Sequence, residues 1–241
     1  MPIRPKRAMV LAAGLGLRMG SITEKLPKPM VTVADRTIID RAIDRLEEVG
    51  VETVAVNLHY LGHMIRRHLE RRPSPQILFS PEEERLETGG GVARALPLLG
   101  GRPFYVVNAD ALWLNGEGEG ALSRMGKAWD GRRMDGLLLL NSTVDAHGYD
   151  GVGDFTINQN GALSRRPEAG VAPYLFAGVQ ILHPRLFANV PEGPFSLNLI
   201  YDRAISKGRL HGIVHDGEWF HIGDPEGLAE AEAFMRGIKR G

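Results

Sequence analysis

The 241-residue chain contains no cysteine. This absence excludes disulfides, thiolate metal ligands and cysteine nucleophiles, and it fits a cytoplasmic protein. Neither sign of charge is in excess, because 29 lysines and arginines balance 29 aspartates and glutamates. The sequence therefore predicts no nucleic-acid partner and no binding to an anionic membrane surface, since both need a basic field.

Long hydrophobic runs are also missing. No segment approaches the ~20 apolar residues that span a bilayer, and the apolar stretch behind the basic N-terminus is too short for a signal peptide. We therefore expect a cytoplasmic protein. The sequence also lacks an interdomain linker and a hexapeptide repeat, which predicts one domain over residues 1–241 without a β-helix extension.

The chain does contain short apolar runs of strand type, separated by amphipathic helical patterns. In residues 37–50, for example, apolar positions recur at helical spacing and Gly50 provides a stop signal. This alternation is typical of a mostly parallel sheet covered on both faces. After residue 141 the pattern predicts an antiparallel or mixed portion, followed by helices near 198–207 and 225–238. The strand-like runs lie at 8–13, 53–58, 76–80, 104–109 and 136–141.

The stretch LAAGLGLRMG at residues 11–20 leads from an apolar run into a glycine-rich loop. Gly14, Gly16 and Gly20 come close to the G-x-G-x-x-G of dinucleotide-binding folds. Gly20 is one residue late, however, and Pro27 and Pro29 follow where a crossover helix is required. A P-loop is excluded because no G-K-[ST] follows. A tight turn that needs glycine, or a loop whose backbone admits phosphates, remains open.

Taken together, LAAGLGLRMGSITEKLPKPM resembles the signature of the sugar-1-phosphate nucleotidyltransferases. That signature is a strand, then G-x-G-x-R, then P-K-P about ten residues later. The resemblance implies that Arg18 holds the leaving pyrophosphate in a fork, whereas Lys28 acts as a point charge near the α-phosphate. We expect both cations on an open loop. The implied nucleotide-binding residues of this segment are Leu11, Ala13, Gly14 and Gly16.

The same resemblance implies an α/β, Rossmann-like fold, with a mixed, mostly parallel sheet flanked by helices and a small sugar-binding extension. It covers about residues 7–235. The implied reaction converts a nucleoside triphosphate and a sugar 1-phosphate into a nucleotide-diphospho-sugar and pyrophosphate. Because no G-x-S-x-G nucleophile motif is present, we expect positioning and charge neutralisation to supply the catalysis.

Two further stretches resemble the base and metal sites of the family. LETGGGVARAL at residues 86–96 corresponds to a base-binding loop and the following helix, which implies that Gly90 and Gly91 lie flat against a pyrimidine and that Glu87 reads its edge. A glycine-rich helix N-terminus that binds an anion is the alternative. In VVNADAL, the resemblance implies a nucleotide contact for Asn108 and a metal ligand at Asp110, which follows an apolar strand.

The C-terminal stretch WFHIGDPEGL departs from the family pattern W-x-D-[IV]-G-T-P-E-x-L. His221 replaces the second metal-binding aspartate, and Asp224 replaces a threonine. Since Mg²⁺ prefers oxygen ligands, His221 as a ligand would favour Mn²⁺. Alternatively, Asp224 or water completes the shell, or Asp110 and the phosphates alone hold the ion. A His221 that is only packed or hydrogen-bonded is equally open.

The middle of the chain is where the resemblance places the sugar phosphate. GVGDF and YLFAGVQI imply that the backbones of Gly153 and Gly178 lie against the sugar ring. In LSRRPEAG, Arg166 stands where the family has the lysine of E-K-P, which implies a bidentate contact with the sugar phosphate. A solvated arginine pair before a proline turn is the alternative reading.

The short chain and the LETGGG stretch are most similar to family members that make UDP-N-acetylmuramate from UTP and N-acetylmuramate 1-phosphate in cell-wall recycling. Members that act on glucose 1-phosphate with UTP or dTTP, or on mannose 1-phosphate with GTP, remain alternatives. A regulatory module that binds nucleotide-sugar without catalysis is an alternative of another class. The sequence does not specify an oligomeric state.

Overall fold

The computed structural model describes residues 3–238 of the chain. Its strands are β1 (Arg7–Leu11), β2 (Thr32–Val33), β3 (Arg36–Thr37), β4 (Thr53–Leu58), β5 (Gln76–Pro81), β6 (Phe104–Asn108), β7 (Ala111–Trp113), β8 (Gly136–Ser142), β9 (Ala146–His147), β10 (Phe155–Ile157), β11 (Leu163–Arg165), β12 (Tyr174–Leu182), β13 (Leu210–Val214) and β14 (Trp219–His221). Its α-helices are α1 (Ile38–Glu48), α2 (Gly62–Leu69), α3 (Glu87–Leu99), α4 (Ala121–Ala128), α5 (Asn198–Ile205) and α6 (Pro225–Ile238). None of these helices is long and apolar enough to cross a membrane.

Seven strands of the central sheet pair in the order β5-β4-β1-β6-β12-β8-β13, and most of them run in the same direction. The first four strands pair in parallel. Strand β12 is antiparallel to both β6 and β8, so β8 runs in the same direction as β6, and β13 pairs in parallel with β8. Along this path β12 alone is reversed. The predicted mixed, largely parallel α/β sheet is therefore confirmed.

Helices cover both faces of the sheet because successive side chains of a strand point to opposite sides. In β1, Ala8 and Val10 face one core, which is closed by α1, α2 and α4. Met9 faces the other core, which is closed by α3 and α5. Both layers are needed to bury strands that are apolar on both faces.

The first helix shows how the sequence pattern builds this layer. The hydroxyl of Thr37 accepts a hydrogen bond from the Asp40 backbone N–H and caps the start of α1. Ile39, Ile43 and Leu46 fall on one face of the helix and are fully buried. Burying each such side chain stabilises the fold by about 1.5–3 kcal/mol, so the apolar face docks and the charged face remains outside.

A small three-stranded sheet, β7-β14-β9, brings the C-terminal motif to the end of β6. Strand β7 begins directly after Asp110, and β14 pairs with it so that His221 lies opposite Ala111. Helix α6 packs behind this sheet, where Leu112, Phe220 and Ala231 share a core. The small sheet thus places residues more than 100 positions apart in sequence side by side.

His147 in β9 links the small sheet to α6. Its ring stacks on Phe220, with centroids 4.5 Å apart. Nε2 lies 2.7 Å from a carboxylate oxygen of Glu218, and Nδ1 lies 3.1 Å from one of Glu230. Ionised carboxylates only accept hydrogen bonds, so both ring nitrogens donate and the ring is an imidazolium. Burial lowers the pKa of His147, but the bonds to Glu218 and Glu230 outweigh it and raise the pKa overall.

We expect His147→Gln to destabilise the protein in acid and not in alkali. Because folding raises the pKa of His147, its charge stabilises the fold fully below the unfolded-state pKa of about 6.5. That contribution is lost as the pH rises through the folded-state pKa. Urea denaturation at pH 5.5, 7 and 9 should show a gap to the wild type that shrinks with pH. The exposed His63→Gln in α2 is the matched control, and a gap independent of pH would instead assign the effect to stacking.

Candidate active site

A cavity of about 440 Å³ lies at the carboxyl ends of β1, β4 and β6. In a parallel sheet, this edge is where ligands bind, because the loops that follow the strands diverge there. The structure brings seven of the predicted site residues to its wall. They are Leu11, Ala13, Gly14, Lys28, Glu87, Asn108 and Asp110.

Lys28 and Asp110 form an ion pair in this cavity, with Nζ 2.7 Å from Oδ2. The side chain of Lys28 is only 10% exposed, whereas that of Asp110 is 45% exposed. The expectation of an open loop is therefore wrong for Lys28, because Pro27 and Pro29 hold it in a short turn against the sheet. A buried ammonium requires a partner, and Asp110 supplies one at the point where the cavity opens.

Gly16 fixes the glycine loop against Lys28. Its φ of +67° favours glycine, and a Cβ at this position would lie only 3.0 Å from the Cβ of Lys28. Arg18 follows in the loop and is exposed, as expected. Its Nη1 lies 3.5 Å from Nε2 of His221, so the glycine loop and the C-terminal motif meet at this side chain.

Two buried polar residues of the cavity wall, Asn57 and Glu82, were not identified from the sequence. Asn57 Oδ1 accepts from the Ala12 backbone N–H at 2.7 Å, and its Nδ2 donates to Glu82 Oε1 at 2.7 Å. The other oxygen of Glu82 accepts from the Leu86 backbone N–H at 3.1 Å. Each residue lies at or just after the carboxyl end of an apolar strand. This position in the sequence is a signal for ligand-binding residues, and it predicted only Asp110, after β6.

The glycines of LETGGG do not form the expected loop, because α3 begins at Glu87 and includes them. Gly90 and Gly91 are buried behind the cavity wall. A Cβ on Gly91 would lie 2.9 Å from Glu82 Oε1, and one on Gly90 would lie 2.5 Å from the carbonyl oxygen of Gly193. A side chain at residue 90 would therefore displace the chain at 193, not a base.

Two of the N–H groups at the start of α3 are already bound by the chain itself. The carbonyl oxygen of Phe195 accepts from the backbone N–H groups of Gly89 and Gly90, at 2.8 and 3.1 Å. These are among the N–H groups that a helix start leaves without a partner. Since the chain itself occupies them, Gly89 and Gly90 do not offer these N–H groups to an anion, and the anion-binding alternative stays a prediction for the N–H groups of Glu87 and Thr88, which line the cavity.

The C-terminal motif separates His221 from Asp224. The His221 ring lies over Gly223, where a Cβ would collide with Nε2. Burial lowers the pKa of His221, and the cations Arg18 and Lys28 lower it further. Asp224 Oδ1 instead accepts from the Gly227 backbone N–H at 2.9 Å and caps α6.

The predicted metal set of Asp110, His221 and Asp224 does not come together. Within residues 3–238, no three histidine, aspartate or glutamate side chains lie close enough to hold a metal ion. Asp110 offers a hard, partly exposed carboxylate at the cavity, directly after β6, and Glu87 offers a second one on its wall. That still suits Mg²⁺, which proteins commonly bind through one or two carboxylates together with substrate phosphates and water.

The predicted sugar residues occupy two places. Gly178 lies in a bulge of β12 with φ +80°. A Cβ added at this position would lie 2.9 Å from the Cβ of Ala111, beside Asp110. Gly153 lies in a separate loop, where its N–H donates to the Tyr149 hydroxyl at 3.1 Å. The guanidinium of Arg166 donates through Nη1 to the carbonyls of residues 167, 168 and 170, so it closes a local turn.

Comparison with known proteins identifies the family. The model of the MobA-like NTP transferase domain matches residues 8–139. The N-acetylmuramate α-1-phosphate uridylyltransferase of Caulobacter vibrioides is 41% identical over 95% of this chain and 96% of its own length. The enzyme of the same name from Neisseria meningitidis serogroup B is 34% identical over 94% and 97%.

Solved structures show the same fold. The UDP-glucose pyrophosphorylase from Acinetobacter baumanii superposes with a TM-score of 0.78 and 22% identity, over 95% of this chain and 92% of that chain. HddC from Yersinia pseudotuberculosis, complexed with GMP-PN, gives a TM-score of 0.76 and 22% identity, over 95% and 99%. With more than half of the chain matched by the family model and relatives alike over nearly their whole length, the chain belongs to the MobA-like NTP transferases and, among them, to the sugar-1-phosphate nucleotidyltransferases.

Proposed function

We propose that this nucleotidyltransferase joins UTP and N-acetylmuramate 1-phosphate to give UDP-N-acetylmuramate and pyrophosphate. The observation that carries the proposal is the cavity in which the Lys28–Asp110 pair and the buried Asn57–Glu82 pair meet. The choice of these substrates is supported by the two relatives of that name.

The cations of the site act on the triphosphate. An oxygen of the sugar phosphate attacks the α-phosphorus, the bond to the bridging oxygen breaks, and pyrophosphate leaves with the electron pair. Lys28 is fixed by Asp110 and provides a positive charge that needs no reorganisation during the reaction. Arg18 follows the glycine loop and presents a planar fork to the leaving group. No protein nucleophile is required.

Asp110 is the residue that would hold a divalent ion, together with the oxygens of the triphosphate. Bound there, Mg²⁺ would neutralise phosphate charge and orient the α-phosphate for in-line attack. The ion pair with Lys28 keeps the Asp110 carboxylate beside the same phosphates. His221 is not required for this arrangement.

The buried carboxylate of Glu82 supports a uracil base. Uracil presents an N3–H donor, which a carboxylate accepts, whereas cytosine and adenine present a lone pair at the corresponding ring nitrogen. Guanine also has a ring N–H, so a carboxylate at this ring position disfavours cytosine and adenine without separating uracil from guanine. Both oxygens of Glu82 already accept one hydrogen bond, which orients the carboxylate before the base binds.

The product suggests a physiological setting. We infer that the enzyme works in the cytoplasm, where UTP is made, and returns a recovered cell-wall sugar to the nucleotide-sugar pool for peptidoglycan synthesis. A panel assay of pyrophosphate release tests the substrates directly, with UTP, dTTP, GTP, CTP and ATP against N-acetylmuramate, glucose and mannose 1-phosphates. We expect UTP with N-acetylmuramate 1-phosphate to be best, and EDTA to stop the reaction. Preference for another sugar phosphate would contradict the proposed substrate.

Arg18→Ala and Lys28→Ala should each lower turnover by about 10²-fold or more, because each removes a charge that stabilises the transition state. Steady-state kinetics at saturating substrates measures this effect. Lys25→Ala, which removes an exposed lysine three residues before Lys28, is the control and should be neutral. Near-normal turnover in either variant would remove that residue from the reaction centre.

Glu82→Gln should raise the KM for UTP by about tenfold and leave the KM for the sugar phosphate nearly unchanged, because an amide N–H replaces one acceptor facing the base. The variant should also gain activity with CTP relative to UTP. The exposed Glu84→Gln is the matched control. Equal changes in both KM values would place the base elsewhere.

A further inference from the structure

The contact between Arg18 and His221 fixes which group donates. A guanidinium has only N–H donors, so His221 Nε2 must accept at the observed separation of 3.5 Å from Nη1. An accepting Nε2 belongs to a neutral ring that carries its proton on Nδ1. The Nε2 lone pair is therefore directed at a cation that the chain itself supplies.

The surroundings hold the His221 ring in this orientation. It lies over Gly223, where no side chain larger than hydrogen fits beside Nε2. Trp219 and Tyr149 flank it, with ring centroids 6.0 and 6.4 Å away. Pairing of β14 with β7 places the residue opposite Ala111, next to Asp110. By contrast, Arg18 is exposed in the turn that follows Gly16, and within residues 3–238 the contact with His221 is its one side-chain hydrogen bond.

We propose that His221 is a positioning residue that holds the Arg18 guanidinium at the reaction centre through Nε2, and is not a metal ligand. This inference rests on the proposed function, in which Arg18 binds the leaving pyrophosphate. A divalent ion at Nε2 would have to displace the guanidinium, since two cations cannot share one lone pair.

A neutral acceptor suits this task better than an acid. A carboxylate pairs with arginine through two parallel hydrogen bonds and would engage the same fork that a phosphate needs. Imidazole takes one of the five N–H donors of Arg18 and cancels none of its charge. Arg18 is thereby oriented and still fully available to an anion.

Binding of inorganic pyrophosphate to the full-length protein, measured by calorimetry with EDTA and again with Mg²⁺, tests the proposal. Arg18→Ala should weaken binding by about 10- to 100-fold, and His221→Phe, which keeps an aromatic ring, by about tenfold. The double variant should bind no more weakly than Arg18→Ala alone, because both changes remove one interaction. His221→Gln, whose carbonyl can reach the Nε2 position, should recover most of the binding, whereas His221→Asp should not.

The outcomes distinguish a failure of the proposed function from a failure of the role assigned to His221. If Arg18→Ala binds pyrophosphate as tightly as the wild type, the role of Arg18 in the proposed function fails, and the inference fails with it. If only Arg18→Ala weakens binding, or if the two effects add, Arg18 keeps its role and the assignment of His221 is overturned. Titration of Mn²⁺ followed by electron paramagnetic resonance gives an independent readout. A loss of Mn²⁺ affinity in His221→Phe, but not in Arg18→Ala, would make His221 a metal ligand.

Discussion

The ion pair between Lys28 and Asp110 joins two parts of the chain that are 82 residues apart. Because the lysine is buried, its ammonium would lie desolvated and unpaired in this position without Asp110, so the pair holds the loop against the sheet. Gly16 packs on Lys28 and carries the glycine loop with it, whereas β7 starts after Asp110 and aligns the C-terminal motif. The positions of the glycine loop, the Asp110 segment and the C-terminal motif therefore all depend on this one ion pair.

Features that depend on local pattern were predictable from the sequence. The apolar runs gave the strands, and the helical spacing of Ile39, Ile43 and Leu46 gave the buried face of α1. The resemblance then placed Lys28 and Asp110, which the structure brings to one cavity. For the strands and α1, the residue and its nearest neighbours in sequence already determine the physical outcome, whereas the pairing of Lys28 with Asp110 depends on the fold.

Roles that depend on a hydrogen-bonding or packing partner outside the motif pattern were not predictable in this way. The glycines at 89–91 look like a loop, but they lie in a helix. A side chain at these positions would collide with Phe195, Gly193 or the Asn57–Glu82 pair. Asp224 looks like a spare metal ligand until the start of α6 requires a cap. Arg166 resembles a phosphate ligand, yet the carbonyls of its own turn engage it. In each case, a partner that the motif does not reveal decides the role.

The bonds from the Gly89 and Gly90 N–H groups to the Phe195 carbonyl bear on how the protein responds to its medium. Under the proposed function, a phosphate finds fewer free N–H groups at this helix start, so more of its binding depends on the cations Arg18 and Lys28. Attraction that depends on an exposed guanidinium is screened by dissolved salt over a Debye length of about 8 Å at physiological ionic strength. Under the proposed function, affinity for the triphosphate should therefore depend on ionic strength more strongly than in a site built of backbone amides.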